Sequence, residues 1–148
     1  QDHFRKNYNI AIGLKTAEQV KIQVGSVTDK LADPPQPMFV KGKDMISGIP
    51  VTRKIDHSEV ASVLERAITQ IEVGIIQTLE TCPPELAADI YETGIHLTGG
   101  GALLRGMQAR LEKHMKLKVI IDKDPLRSVS KGISNTLKAP EKFKSILM

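Results

Sequence analysis

Residues 94–106 read GIHLTGGGALLRG. Apolar and β-branched residues lead into Gly99, Gly100 and Gly101, and an apolar helix start follows. A glycine inside an ordered segment costs roughly 0.5–1 kcal/mol relative to alanine, so three in succession need a compensating reason. Two reasons are available. One is a tight strand-to-helix turn; the other is a flat ligand lying against bare backbone. Open α/β sheets collect their ligands at the carboxyl ends of strands, and these glycines fall at such an end.

Working outward, residues 95–98 form a strand, 103–115 a helix and 119–121 a second strand. Strand, helix, strand in that order is a βαβ unit with parallel strands. DKDPL, 122–126, is a turn in which Asp122 and Asp124 are turn-formers. A final helix covers 129–137. Upstream, PPELAADIYETG, 83–94, is a short helix opened by proline and closed by Gly94. Before it, Asp56 or Ser58 caps a long helix. There Val60, Val63, Leu64, Ala67, Ile68, Ile71, Ile75 and Leu79 recur at three- and four-residue steps as one apolar stripe.

The first third reads differently. KTAEQVKIQVGS, 15–26, is a helix in which Thr16 and Gln19 make a capping box and Gly25 supplies the stop. Ala17, Val20 and Val24 share its apolar face, while Glu18 and Lys21, three apart, project together. Residues 29–37 are a proline-broken loop. MFVKGKDMISGIPVTRKI, 38–55, reads as a small antiparallel sheet around Gly42 and Gly48. Residues 9–63 are therefore expected to form a small α+β lobe and 64–137 an α/β lobe. A basic tail, 138–148, is left open between helix and disorder.

Composition limits the function. The 148 residues are 41% hydrophobic and 26% charged, as expected of a soluble globular protein, and no apolar run approaches the roughly 20 residues of a bilayer span. The lone Cys82 fits a reducing compartment and a buried structural role. Net charge is +4, yet aromatics are only 3% and the bases are scattered among acids, so nucleic acid is not an expected partner. The glycine run matches neither a P-loop, since Met107 and Gln108 stand where Lys and Ser/Thr belong, nor a Rossmann fingerprint, since Leu104 replaces the third glycine. His3, His57, His96 and His114 lack metal-ligand spacing.

Four segments in fixed order carry a resemblance. IGLKTAEQVKIQVGS, VKGKDMISGIPVT, TCPPELAADIYETGIHLTGGGALLRGM and DPLRSVSKGISNTL together resemble the MreB family of bacterial actin homologues, from about residue 9 to residue 137. The resemblance implies a partial actin-like ATPase fold of the ribonuclease-H-like type: an incomplete nucleotide-binding lobe plus the small α+β lobe, the second large domain of such a protein. It implies that Gly99, Gly100, Gly101 and Ala102 form the adenosine motif of an ATP site. The facing helix contributes Glu18, Gln19 and Lys21, with Glu18 able to accept ribose hydroxyl protons and the Lys21 stem able to cover the base.

The family's two phosphate turns, with their Mg²⁺-binding and water-positioning acids, have no counterpart in this sequence. Only the adenosine part of ATP is expected here, Mg²⁺ is expected only in a full-length parent, and this chain alone is expected to be inactive as an ATPase. By resemblance the parent assembles with itself into cytoplasmic, membrane-associated filaments, bound to membrane through the half not present here. It would organise cell-wall synthesis with the elongation machinery and inner-membrane scaffold proteins, and so set rod shape. The alternative is an ATPase-domain fragment of an Hsp70- or sugar-kinase-like protein of the same fold.

Overall fold

The structure, a computed structural model, describes residues 1–143; residues 144–148 of the expected basic tail lie outside the described residues. Helix α1 (Asp2–Tyr8) leads into strand β1 (Ile10–Ala11) and helix α2 (Leu14–Val24). Strands β2 (Met38–Asp44) and β3 (Pro50–Ile55) pair antiparallel, and β1 adds to the free edge of β2, giving the order β1-β2-β3. Helix α3 (His57–Glu80) is the longest element, and α4 (Pro84–Thr93) follows it. Strand β4 (Ile95–Leu97), a 3₁₀ turn (Gly100–Leu103), helix α5 (Met107–Met115) and strand β5 (Val119–Ile121) make the expected βαβ unit, with Ile95 opposite Val119 in a parallel ladder. Helix α6 (Ser128–Lys138) and a 3₁₀ turn (Pro140–Phe143) complete the described chain.

Two apolar clusters hold these elements. Phe4, Val20, Val24, Val40, Ile55 and Val60 bury one side of the three-stranded sheet beneath α1, α2 and the start of α3. Val27, Ile68, Met107, Leu111 and Val119 bury the two-stranded sheet against α5 and the middle of α3. Full burial of one such side chain is worth about 1.5–3 kcal/mol. Leu64 packs on both clusters, so α3 is common to them. Asp56 caps α3: its carboxylate accepts from the Glu59 amide at 2.9 Å and from the Ser58 hydroxyl at 2.9 Å. Those donors, the Glu59 amide first, hold the Asp56 pKa below its usual carboxylate value.

Several expectations need correction. Thr16 and Gln19 form no capping box. The chain winds as soon as it leaves β1, Gly13 is the N-cap, and Thr16 is already in the first turn. The expected helix over 103–115 is split: Leu104 is extended and Gly106 takes φ +81°, so α5 begins only at Met107. Strand β1 and helix α1, at the start of the chain, carried too short a pattern to be read. The apolar stripe of α3 is covered only in part, since Val63 and Ile71 remain exposed. Cys82 is half-buried rather than buried.

One polar group sits inside the second cluster. Glu72 is 3% exposed, on the α3 face between Ile68 and Ile75. Arg110 of α5 meets it through Nε at 2.7 Å and Nη2 at 3.1 Å. The same guanidinium donates to both oxygens of Glu65 at 2.6 and 2.8 Å and to the Val27 carbonyl at 3.0 Å. All five donors of the fork are thereby used, which raises the Arg110 pKa and lowers that of Glu65.

Two outcomes are expected. Arg110→Ala leaves Glu72 buried without a counter-charge and lowers unfolding free energy by about 3–5 kcal/mol in urea titrations, whereas Arg110→Met with Glu72→Leu recovers most of that loss. Asp56→Ala costs about 1 kcal/mol at neutral pH. Because the folded pKa of Asp56 lies below the ordinary 3.8, its stabilisation is present above that pH. It is lost as pH falls through the folded value, so melts of the two proteins converge in acid.

Candidate functional site

The glycine run lies between two fixed points. On one side the Gly99 amide donates to the Pro125 carbonyl at 2.8 Å, tying the end of β4 to the turn after β5. That turn is itself braced, because the Ser128 hydroxyl donates to the Asp122 carboxylate and to the Asp124 carbonyl, and Lys131 pairs with Asp124 at 3.1 Å. The Ser128 hydroxyl holds the Asp122 pKa below its usual value. On the other side, Leu104 and Arg105 run beside the end of α2. Ser26 and Arg105 form a parallel bridge, the Val27 amide donates to the Arg105 carbonyl at 3.0 Å, and the Ser26 hydroxyl donates to the same carbonyl at 3.2 Å.

The three glycines are not equivalent. Gly99 has φ +81°, a left-handed conformation that L side chains rarely adopt, so the turn itself requires glycine there. Gly100 and Gly101 have no positive φ. A Cβ on Gly101 would meet nothing within 4 Å, and one on Gly100 would meet only Leu126 Cδ2 at an ordinary 3.5 Å. Neither the backbone conformation nor the packing of this chain demands glycine at 100 or 101. The space a side chain would take there is open. Ala102, next along, is 3% exposed and anchors the turn inward.

The helix expected to face the turn is α2. Glu18 and Lys21 are paired at 2.8 Å with both side chains well exposed, the usual surface pair worth about 0.2–0.5 kcal/mol. Gln19 is exposed and makes no cap. Glu18 and Lys21 line a mainly apolar cavity of about 280 Å³ with Leu14 and Ala17 of α2 and Val63 and Leu64 of α3. None of its lining residues comes from the glycine turn. The structure therefore brings Glu18 and Lys21 together, and separately aligns Gly99, Gly100, Gly101 and Ala102, without closing both sets around one cavity.

What joins the two sets is Gly25. A Cβ there would strike the Lys21 carbonyl and approach Leu104 Cδ2 at 2.9 Å, so α2 ends in direct contact with the segment that leaves the glycine turn. Arg105 adds a long hydrogen bond from Nη1 to the Gly25 carbonyl at 3.4 Å. Sequence reading took Gly25 as a helix stop and did not single out Ser26, Arg105 or Arg110. The available signals were Leu-Arg between two glycines and a carboxylate, Glu72, inside an apolar stripe. Among the described residues no group of three or more His, Cys, Asp or Glu could hold a metal ion, and no helix is long and apolar enough to cross a membrane.

Known proteins resemble this chain over most of its length. The family described as MreB/Mbl protein matches residues 1–145. The cell shape-determining protein MreB of Escherichia coli K12 is 37% identical over 131 residues, which is 88% of this chain and 37% of that protein. The cell shape-determining protein Mbl of Bacillus subtilis 168 is 35% identical over 88% of this chain and 39% of its own length. This chain thus spans less than two-fifths of these relatives. Among solved structures, MreB 5 of Spiroplasma citri bound to AMPPNP superposes with a TM-score of 0.89 at 37% identity, covering 99% of this chain and 44% of the solved one. A non-polymerising A278D mutant of MamK bound to AMPPNP, at 22% identity and a TM-score of 0.60, shares the fold. The architecture is a partial actin-like fold, and the chain belongs to the MreB/Mbl family of cell shape-determining proteins.

Proposed function

We propose that this chain is the ATP-binding and assembly-forming second domain of a bacterial actin-like filament protein that sets rod shape by organising cell-wall synthesis. The observation that carries the reading is the pair Gly100 and Gly101, kept free of side chains where neither conformation nor packing asks for it. Bare peptide planes at the carboxyl end of a strand are what a purine needs to lie flat against backbone. Two structures of one Spiroplasma citri relative, MreB 5, solved with AMPPNP and with ADP, match this chain at TM-score 0.89, which supports nucleotide as the ligand.

In this reading Gly99, Gly100, Gly101 and Ala102 seat the adenosine. Glu18, Gln19 and Lys21 border it from α2. The Glu18–Lys21 pair exchanges its internal contact for ribose hydroxyls and the ring edge, a weak exposed pair being easily redirected. Phosphates and Mg²⁺ fall to residues outside this sequence, so hydrolysis is not assigned to these residues. Residues 9–63 act as the small lobe and 64–137 as the nucleotide lobe, with Val27 of the first range packed in the cluster of the second and Leu64 shared by both clusters. Bound nucleotide biases the angle between lobes and thereby the population competent to assemble.

Exposed Val129, Ile133 and Leu137 lie one helical turn apart on α6 and offer a face for the remainder of the nucleotide lobe. The parent's place is cytoplasmic, with membrane, elongation-machinery and scaffold contacts made elsewhere in it.

The test uses the full-length protein and isothermal titration with ATP. Gly100→Val and Gly101→Ala are expected to melt at the unaltered temperature yet bind ATP at least about tenfold more weakly, a loss of ~1.4 kcal/mol or more. Lys21→Ala weakens binding less. ATP affinity unchanged in all three variants would refute the assignment.

A further inference from the structure

The sheet formed by β4 and β5 has an outer edge that the chain closes with side chains. The Ile95 amide donates to the Lys118 carbonyl at 2.8 Å, and Ile95 lies opposite Val119 in the parallel ladder. In such a ladder the backbone groups of successive residues point to alternate sides, so Lys118 and Ile120 serve β4. Val119 and Ile121 therefore turn their N–H and C=O groups away from β4. Among the described residues no further strand lies on that side.

At Val119 both groups are taken by α5. Its amide donates to Glu112 Oε1 at 3.1 Å, and its carbonyl accepts from Gln108 Nε2 at 2.9 Å. Gln108 Nε2 also reaches Glu112 Oε1 at 3.2 Å, which ties the two side chains into one clasp. They stand four residues apart and so share one face of α5. A carboxylate and a carboxamide thus take the places of the acceptor and donor that a neighbouring strand would offer.

The edge beneath the clasp fits a second copy of itself. Two β5 strands laid antiparallel with Ile120 on the two-fold axis set Val119 against Ile121, each pair exchanging both of its hydrogen bonds. The same register sets Lys118 against Asp122 of the second copy, and Lys116 against its Asp124, so opposite charges meet on both sides of the axis. Val-Ile-Ile is β-branched throughout, the composition that favours strand pairing at an unguarded edge.

We propose that the outer edge of β5 is a self-complementary docking edge for a second copy of this chain, and that the Gln108–Glu112 clasp holds it shut. Opening it moves two side chains and leaves the packing of α5 in place, because Met107 and Leu111 carry the burial of that helix. Closed, the edge leaves association to other faces. Open, it makes an isologous pair, which uses the same patch on both copies and ends at two. The contact involves neither the glycine turn nor nucleotide, so it stands apart from the ATP reading.

The test is disulfide trapping in the nucleotide-free full-length protein, with its native cysteines changed to serine, Cys82→Ser among them. Ile120→Cys places a thiol on the two-fold axis, where a non-hydrogen-bonded pair brings Cα atoms to about 4.5 Å, within disulfide reach. With the clasp intact, mild oxidation is expected to give little dimer on a non-reducing gel. Gln108→Ala with Glu112→Ala raises the dimer about fivefold or more. Adding Lys118→Asp returns it to the starting level by setting like charges against Asp122. Glu112→Gln keeps an acceptor for the Val119 amide and stays shut. Lys123→Cys in the opened protein lies about 20 Å from its twin in this register and is expected not to cross-link. All variants are compared below their melting temperatures, read by circular dichroism. Equal dimer with the clasp intact and removed, or equal cross-linking at 120 and 123, overturns the proposal. So does an equal rise with Leu111→Ala, which loosens α5 without touching the clasp.

Discussion

Four consecutive residues on each of two distant segments, Val24 to Val27 and Leu104 to Met107, make the seam on which this structure depends. Ser26 and Arg105 are 79 residues apart in sequence and share a bridge in which both backbone and hydroxyl donors converge on one carbonyl. Ser26 is fully buried, so these hydrogen bonds form where an unmade one would cost about 1–3 kcal/mol. Remove the seam and the end of α2 has nothing to hold it beside the strand that delivers the glycines. The placement of the glycine turn beside the end of α2 is therefore a product of long-range backbone pairing, with the side chains arranged around it.

The guanidinium of Arg110 extends the same seam one step further. It reaches the Val27 carbonyl on the α2 side and two carboxylates of α3 on the other, fixing α3, α5 and the post-α2 segment to one another. A buried charge is a poor means of gaining stability, because desolvation offsets most of the Coulomb attraction. Its value is directional: a planar fork satisfies five acceptor contacts only in one arrangement of the three elements. That arrangement is what keeps α2 and the glycine turn in register while α3 runs on through both apolar clusters.

The glycine turn combines a rigid floor with a free corner. Gly100 and Gly101 provide the free corner, and the braced 122–131 turn with Ala102 provides the floor beneath it. Exposed apolar residues at the hairpin tip, along α6 and on α4 mark faces that this chain does not cover by itself. For a chain that spans less than half of its relatives, uncovered apolar faces are what packing against the remainder would leave.

Local chemistry made much of this legible. Alternation of 2 and 3.6 in the apolar residues, proline at the start of α4, Gly94 at its end and Asp56 before α3 all act within a few residues, and each element they announce is present. The βαβ order and the glycine turn after β4 were readable for the same reason. Tertiary structure alone decided the rest. Helix α5 starts late because Leu104 and Arg105 are drawn into pairing with Ser26, and no local preference of those two residues encodes a partner 79 positions away. Thr16 lost its cap to a strand too short to leave a pattern. Glu72 became buried because Arg110 arrives from another helix to meet it. Sequence by itself determined which segments wind, extend or turn, since those choices rest on neighbouring atoms; which turn meets which helix was settled by buried hydrogen bonds between segments far apart in the chain.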